Sequence, residues 1–240
     1  MPATKYRRVL LKLSGEALLG DRTYGISPQY VRYLCEEVKK MHDLGVEVAI
    51  VIGGGNWLRG AQAAEQGIEE ATAHYMGMLA MVINALALQS GLEALGIPTR
   101  VQSALRIDEV AEPYIRRRAI HHLEKGLVVV FAAGTGNPFF TSDTAAALRA
   151  AEIDAEVILM GKNAVDGVYD ADPRKVAGAH KYEEMDYRDL LEKRLQIMDS
   201  TAAALAEDRK IPIIVFDLGQ ADAMVRAVKG EHVGTLVHSH

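Results

Sequence analysis

Four short stretches carry the residue types that phosphate chemistry requires: Lys12-Leu13-Ser14-Gly15, Gly53-Gly54-Gly55-Asn56, Gly134-Thr135-Gly136-Asn137 and Gly161-Lys162-Asn163. Glycine lets backbone approach a ligand closely, and free N–H groups at the positive end of a helix attract anions. Gly53 to Gly55 fits that description, although a tight turn needing positive φ would use the same residues. Lys12 stands inside the apolar run RVLLKLSG. An ammonium there either snorkels outward or is held to meet an anion, and the surrounding glycine loops favour the anion. Asp143, in TSDTAAAL, and Asp199, in MDSTAAAL, can each cap the helix that follows. A capping carboxylate can also orient a lysine or a metal-bound water. Arg59, just beyond the glycine triplet, can clamp phosphate or pair with a surface acid. Phosphoryl transfer is the chemistry such a set can perform, because it needs in-line positioning and charge compensation rather than covalent help from the protein.

Other chemistries lack their residues. Neither Gly53-x-Gly55 nor Gly134-x-Gly136 continues to the third glycine of a dinucleotide fingerprint, and no G-x-x-x-x-G-K-[ST], HExxH or CxxC occurs. The single cysteine, Cys35, cannot form an intrachain disulfide and falls in an apolar stripe, as a small core residue in a reducing compartment would. The chain has 27 Lys and Arg against 32 Asp and Glu, a formal charge of -5, and no basic run longer than Arg116-Arg117-Arg118, so nucleic acid is not expected as a partner. Lys12, Ser14 and Glu16 interrupt what would be a signal-peptide core, and the most apolar stretch, Met76 to Leu88, contains Asn84 and is too short to span a bilayer. No membrane association is expected, and the cytoplasm is the expected compartment.

The elements that must hold these loops follow from periodicity. Of the 240 residues 49% are hydrophobic, enough for one domain with a sizeable core. Arg8 to Leu13 reads as a buried strand, and Val31, Leu34, Cys35, Val38 and Met41 recur at helical spacing between Ser27-Pro28 and Gly45. Val46 to Ile52 is a second strand running straight into the triplet, so a parallel βαβ unit is predicted. A long helix is expected from about Glu69 to Leu95, a strand over 99–102, a helix over 109–124, a strand over 127–132, a helix over 144–151 and a strand over 155–160. Residues 161–184 read as an elaborated loop with a short hairpin. Helices near 187–193, 199–208 and 221–228 and strands over 212–216 and 235–237 complete the chain. The expectation is a three-layer α/β/α sandwich with a mainly parallel sheet, its loops converging on one edge at the strand carboxyl ends.

Together KLSGEAL at Lys12 to Leu18, VIGGGN with Arg59-Gly60, YMGMLA at Tyr75 to Ala80, AGTGNPFFTSDTAA at Ala133 to Ala146 and VDGVYDADP at Val165 to Pro173 resemble the bacterial-type UMP kinases of the amino-acid-kinase superfamily. The resemblance runs nearly end to end, closing with MDSTAAALA and the GTL at Gly234 to Leu236. It implies an acetylglutamate-kinase-like fold in a single domain over 1–240, with an acceptor lobe over roughly 1–150 and an ATP lobe over roughly 151–240. It implies transfer of the γ-phosphoryl group from ATP to UMP in pyrimidine nucleotide biosynthesis, directly and in line, with no metal held by protein alone and Mg²⁺ arriving on the ATP phosphates. A homohexamer, GTP activation and UTP inhibition are further implications. Carried over by position, Lys12, Asp143 and Asp199 are the catalytic set. Lys12, Leu13, Ser14, Gly15, Gly55, Arg59, Asn163, Tyr169 and Asp172 serve ATP. Gly54, the position of His74, and Thr135, Gly136, Asn137, Pro138, Phe139, Phe140, Thr141 and Ser142 serve UMP. Gly20, Asp21, Arg22, Thr23, Tyr24 and Gly25 fall where the family places part of its GTP response.

Two departures from the family pattern stand out. His74 replaces the aspartate that commonly accepts hydrogen bonds from the ribose hydroxyls, and Leu127 stands where related chains often carry arginine, which bears on the effector response. Neutral imidazole accepts one hydrogen bond and imidazolium none, so UMP affinity is expected to weaken as pH falls. A kinase of the same superfamily acting on a carboxylate or carbamate would share Lys12 and the first glycine loop, but has no evident need for GTGNPFFT. A catalytically silent nucleotide-binding assembly on the same fold should have lost Lys12, Asp143 or Asp199, and all three are present.

Overall fold

The computed structural model describes residues 4–58, 67–173, 175–176, 178–193, 195 and 197–239. Arg59 lies outside the described residues. The apolar run at the N-terminus forms β1 (Arg8–Leu13), buried from Val9 onward, and a one-turn 3₁₀ helix (Gly15–Leu18) follows it. The helical stripe forms α1 (Pro28–Asp43), which opens with proline in its first turn, where the missing N–H costs nothing. Next come β2 (Glu47–Ile52), α2 (Glu70–Ala94), β3 (Thr99–Ser103), β4 (Glu112–Pro113), α3 (Arg116–Glu124) and β5 (Val128–Ala132). The second half contains α4 (Ser142–Glu152), β6 (Val157–Lys162), β7 (Val168–Tyr169), β8 (Lys181–Tyr182), β9 (Glu184–Asp186), α5 (Tyr187–Glu192), α6 (Ser200–Asp208), β10 (Ile213–Asp217), α7 (Ala223–Lys229) and β11 (Thr235–His238).

Nine strands form one sheet in the order β4-β3-β5-β2-β1-β6-β10-β11-β9, and β7 with β8 forms a separate antiparallel hairpin. Every pairing in the large sheet is parallel except β10 with β11. The fold is therefore α/β, with α1, α2 and α7 over one face and α3 to α6 over the other. Strand alternation decides which face each residue serves: Val9, Leu11 and Leu13 join the first core and Leu10 the second. The same period puts Lys12 on the α4 face. β1 lies at the switch between β2 on one side and β6 on the other, where an open sheet of this kind binds its ligands.

Two expectations need correction. The helix expected over 109–124 begins only at Arg116, because Pro113 holds its predecessor extended. Glu112 and Pro113 instead pair with Gln102 and Ser103 as an edge strand, and Tyr114 N–H donates to Ser103 O at 2.9 Å. The apolar stretch judged too short for a bilayer belongs to α2, whose 25 residues pass by length and composition, the one such helix among the described residues. Its inner residues Met78, Val82, Ala85, Leu88 and Leu92 belong to the first core, which marks α2 as a core helix of this fold.

Candidate active site

The register of β1 delivers Lys12 to the carboxyl edge with its side chain turned toward α4. There the residue is 6% exposed, and its ammonium forms an ion pair with Asp143. Asp143 is available for this because it does not cap α4. Thr141 does, its hydroxyl accepting the N–H groups of Asp143 at 3.0 Å and Thr144 at 3.3 Å. Asp199 does cap its helix, accepting from Ala202 N–H at 2.8 Å. Its second oxygen accepts from the hydroxyls of Thr141 and Thr144, the latter at 2.8 Å, so the N-termini of α4 and α6 are tied together beside the lysine. Burial works to raise the pKa of Asp199, but the hydrogen bonds from Thr141, Ala202 and Thr144 prevail, and the carboxyl is held below its ordinary range.

A second ammonium faces the same place. Lys162 ends β6, donates to Ile197 O at 2.6 Å, and feels the charges of both Lys12 and Asp143. Burial first, and the Lys12 charge second, lower its pKa to about 8 against the opposing pull of Asp143. The sequence marked its loop but gave the residue no task. The available signal was its position: the last residue of a buried strand beside the strand of Lys12, on the edge where that strand ends.

The glycine triplet leaves β2 at the same edge. A Cβ at Gly53 would lie 3.1 Å from Gly15 N and 3.4 Å from Ser142 Oγ, which brings two of the sequence-marked loops together with the start of α4. At Gly15 a Cβ would meet Gly55 N at 2.7 Å, and at Gly54 it would meet Gly77 O of α2 at 2.6 Å, so neither position tolerates a side chain. Among the described residues, the N–H groups of Gly54 and Gly55 donate to no protein acceptor. Unspent amide donors beside two ammonium groups are suited to an anion.

The 133–142 loop closes the crevice on the α2 side. Ala133 and Phe139 both hold positive φ, 60° and 68°, conformations that non-glycine residues keep only where surroundings impose them. Gly134 packs on Met81, Gly136 on Ala104, and Thr135 Oγ1 accepts from Asn137 N–H at 3.2 Å. Pro138 is half-buried, whereas Phe139 and Phe140 are exposed. His74, in the first turns of α2, places its ring 5.2 Å from that of Phe139 and its Nε2 3.9 Å from a Glu70 oxygen.

On the other side of Lys12 a cavity of about 590 Å³ is lined by Ser14, Lys162, Asn163, Tyr169, Asp172 and Ile197, among others. Four residues assigned to one nucleotide from sequence thus share one cavity. The Tyr169 hydroxyl donates to Asp166 at 2.6 Å, and Lys181 also binds that carboxylate, at 2.8 Å. Leu13 is fully buried and can offer a ligand only its backbone. In the 20–25 segment Asp21, Arg22, Thr23 and Tyr24 are exposed, Gly20 and Gly25 hold positive φ, and Tyr24 stacks edge-on against Trp57 with centroids 5.1 Å apart. Among the described residues no three His, Cys, Asp or Glu side chains converge as a metal cage.

Comparison with known proteins places these features in a family. Residues 7–217 match the model of the amino acid kinase family. A uridylate kinase of Limosilactobacillus reuteri is 54% identical over 237 residues, 99% of each chain. The crystal structure of a UMP kinase from Bacillus anthracis superposes with a TM-score of 0.95 at 40% identity, covering 97% of this chain and 96% of the other. That of a UMP kinase from Ureaplasma parvum superposes with a TM-score of 0.92 at 37% identity, covering 98% and 100%.

Proposed function

The chain belongs to the amino acid kinase family, and from that premise we propose that its crevice transfers the γ-phosphoryl group of ATP to UMP, yielding ADP and UDP. The protein is a phosphotransferase that serves pyrimidine nucleotide synthesis. The observation that carries the reading is the paired Lys12 and Asp143 standing between two facing sites, the glycine triplet with the 133–142 loop on one side and the cavity beyond Lys162 on the other.

UMP occupies the N-terminal lobe, over roughly 1–150 and supported by β1 to β5, with its phosphate at Gly54 and its nucleoside along Thr135 to Ser142 beneath Phe139 and His74. ATP occupies the C-terminal lobe, over roughly 151–240, its base toward Asn163, Tyr169 and Asp172 and its phosphates over Ser14, Gly15 and Gly55. Lys12 and Lys162 compensate the charge that spreads over the moving phosphoryl oxygens, as cations already fixed in place do without reorganisation. Asp143 fixes the Lys12 ammonium, and Asp199 locks the starts of α4 and α6 so that both carboxylates face the phosphates. Magnesium bound to the ATP phosphates would supply further charge compensation, and Asp143 and Asp199 are the carboxylates that would orient it. Transfer is direct, so no phosphorylated protein group forms.

Tyr75, Leu79 and Ile83 form an exposed apolar row on α2, with Met76 beside it, and this row supports assembly with further copies of the chain, a homohexamer on the family pattern. GTP activation through the 20–25 segment, UTP inhibition and residence in the cytoplasm belong to the same proposal.

The test is ADP release from ATP with UMP, CMP, dUMP and N-acetylglutamate side by side. UMP should be used faster than each of the others by on the order of 10² in kcat/KM. Preference for N-acetylglutamate would transfer the chain to the carboxylate kinases of the superfamily.

A further inference from the structure

Asn84 is a polar residue in the middle of the apolar helix α2, it is 0% exposed, and neither the transfer reaction nor the core accounts for it. Its amide is satisfied on all sides. Nδ2 donates to Gly53 O at 2.7 Å and to Asn56 Oδ1 at 2.7 Å, while Oδ1 accepts from Asn56 Nδ2 at 3.0 Å and from the Trp57 indole N–H at 2.9 Å. Asn56, also buried, donates to Gly25 O at 2.9 Å. Because Gly53 O and Gly25 O can only accept, both amides have one possible orientation. A buried amide is costly unless all its groups are bonded, so a leucine would serve the packing of α2 at less risk.

What the amide holds is the loop of the active crevice. It draws the Gly53 carbonyl back toward α2, while Gly54 packs against Gly77 and Ala80 of the same helix. With the carbonyl fixed on that side, the unspent N–H groups of Gly54 and Gly55 are held in the strand-end crevice. We propose that Asn84 is a positioning residue for phosphoryl transfer: paired with Asn56, it clamps the glycine triplet to α2 so that the Gly54 and Gly55 amides meet the acceptor and donor phosphates. The inference rests on the function proposed above and adds a residue that touches neither nucleotide.

Asn84→Ala removes the clamp, and Asn84→Asp keeps an acceptor for Asn56 and Trp57 while losing the amide donor to Gly53. In both, with folding verified by circular dichroism, the KM for ATP and the KM for UMP should rise together by about tenfold or more, because small misplacement of phosphate donors is enough to weaken both sites. Trp57 is the single tryptophan, so loss of its bond to Asn84 should also shift the emission of the ligand-free Asn84→Ala protein. Folded variants whose two KM values stay within about twofold of the parent, whatever their melting temperature, would reduce Asn84 to a structural residue. If neither variant folds, Trp57→Phe removes one bond from the cluster and decides by the same two constants, with a rise of about threefold expected and no change overturning the clamp. If the parent does not phosphorylate UMP, the functional reading fails instead. ADP titrated against Trp57 emission then still tests the clamp, with affinity expected to fall about tenfold in Asn84→Ala and no loss overturning it.

Discussion

Replacing Lys12 by alanine should lower kcat for UDP formation by on the order of 10² or more, with a much smaller change in the KM for either nucleotide. In the proposed reaction the ammonium faces charge that moves, and an interaction strongest in the transition state appears in kcat. The variant has a second expected defect. Asp143 would lose its partner in a site where its side chain is only 17% exposed, and removing one member of such a pair leaves an uncompensated carboxylate. Because the crevice admits water, the loss should be about 1–3 kcal/mol, below the cost in a closed core. The two defects separate in the double variant Lys12→Ala, Asp143→Ala, which should recover most of the stability and none of the turnover. Denaturant midpoints and single-turnover rates measure both. Near-normal kcat in Lys12→Ala would remove the residue from the chemistry.

Much of this site was legible because strand and loop signals in the sequence are local. The β-branched run ending at Ile52 passes straight into three glycines, and the structure puts that strand beside β1 as a βαβ unit requires. Lys12 stood out as an ammonium inside the apolar run RVLLKL, and the structure puts it opposite the Leu11 face, on the α4 side. Where the reading went astray, a nonlocal partner decided the outcome. Helical propensity over 109–124 lost its first part to Pro113 and to pairing with β3, a strand that propensity cannot see. Asp143 stood open in the sequence between capping its helix and orienting Lys12, and the structure divides the two: Thr141 takes the cap and the carboxylate pairs with the lysine. Lys162 was overlooked because nothing local distinguishes it from a solvated lysine in a loop. Only the adjacency of β6 and β1 reveals that two ammonium groups share one edge.

That adjacency has the largest measurable consequence after Lys12. Lys162 has its pKa lowered from 10.5 to about 8, so in the free protein it begins to lose its proton just above neutral pH. A phosphate anion placed beside it favours the charged form and restores the proton. ATP binding should therefore take up a proton, little of one near pH 7 and approaching one by about pH 9, read from the dependence of calorimetric enthalpy on buffer ionisation heat. In Lys162→Met the uptake should vanish and kcat should fall by on the order of 10². The sign for stability is opposite. A lysine whose folded pKa lies below its unfolded value costs stability while protonated. That cost is complete below about pH 8 and relieved as pH climbs toward 10.5. Lys162→Met should therefore stabilise the ligand-free protein at pH 7 by about 1–3 kcal/mol, a gain that shrinks as the pH is raised through the lysine's titration. That pair of results, a gain in stability with a large loss of turnover, would mark a residue kept at a net cost to folding because it serves the reaction. Lys162→Met that neither gains stability nor loses activity would show instead that its ammonium is solvated and apart from the phosphates.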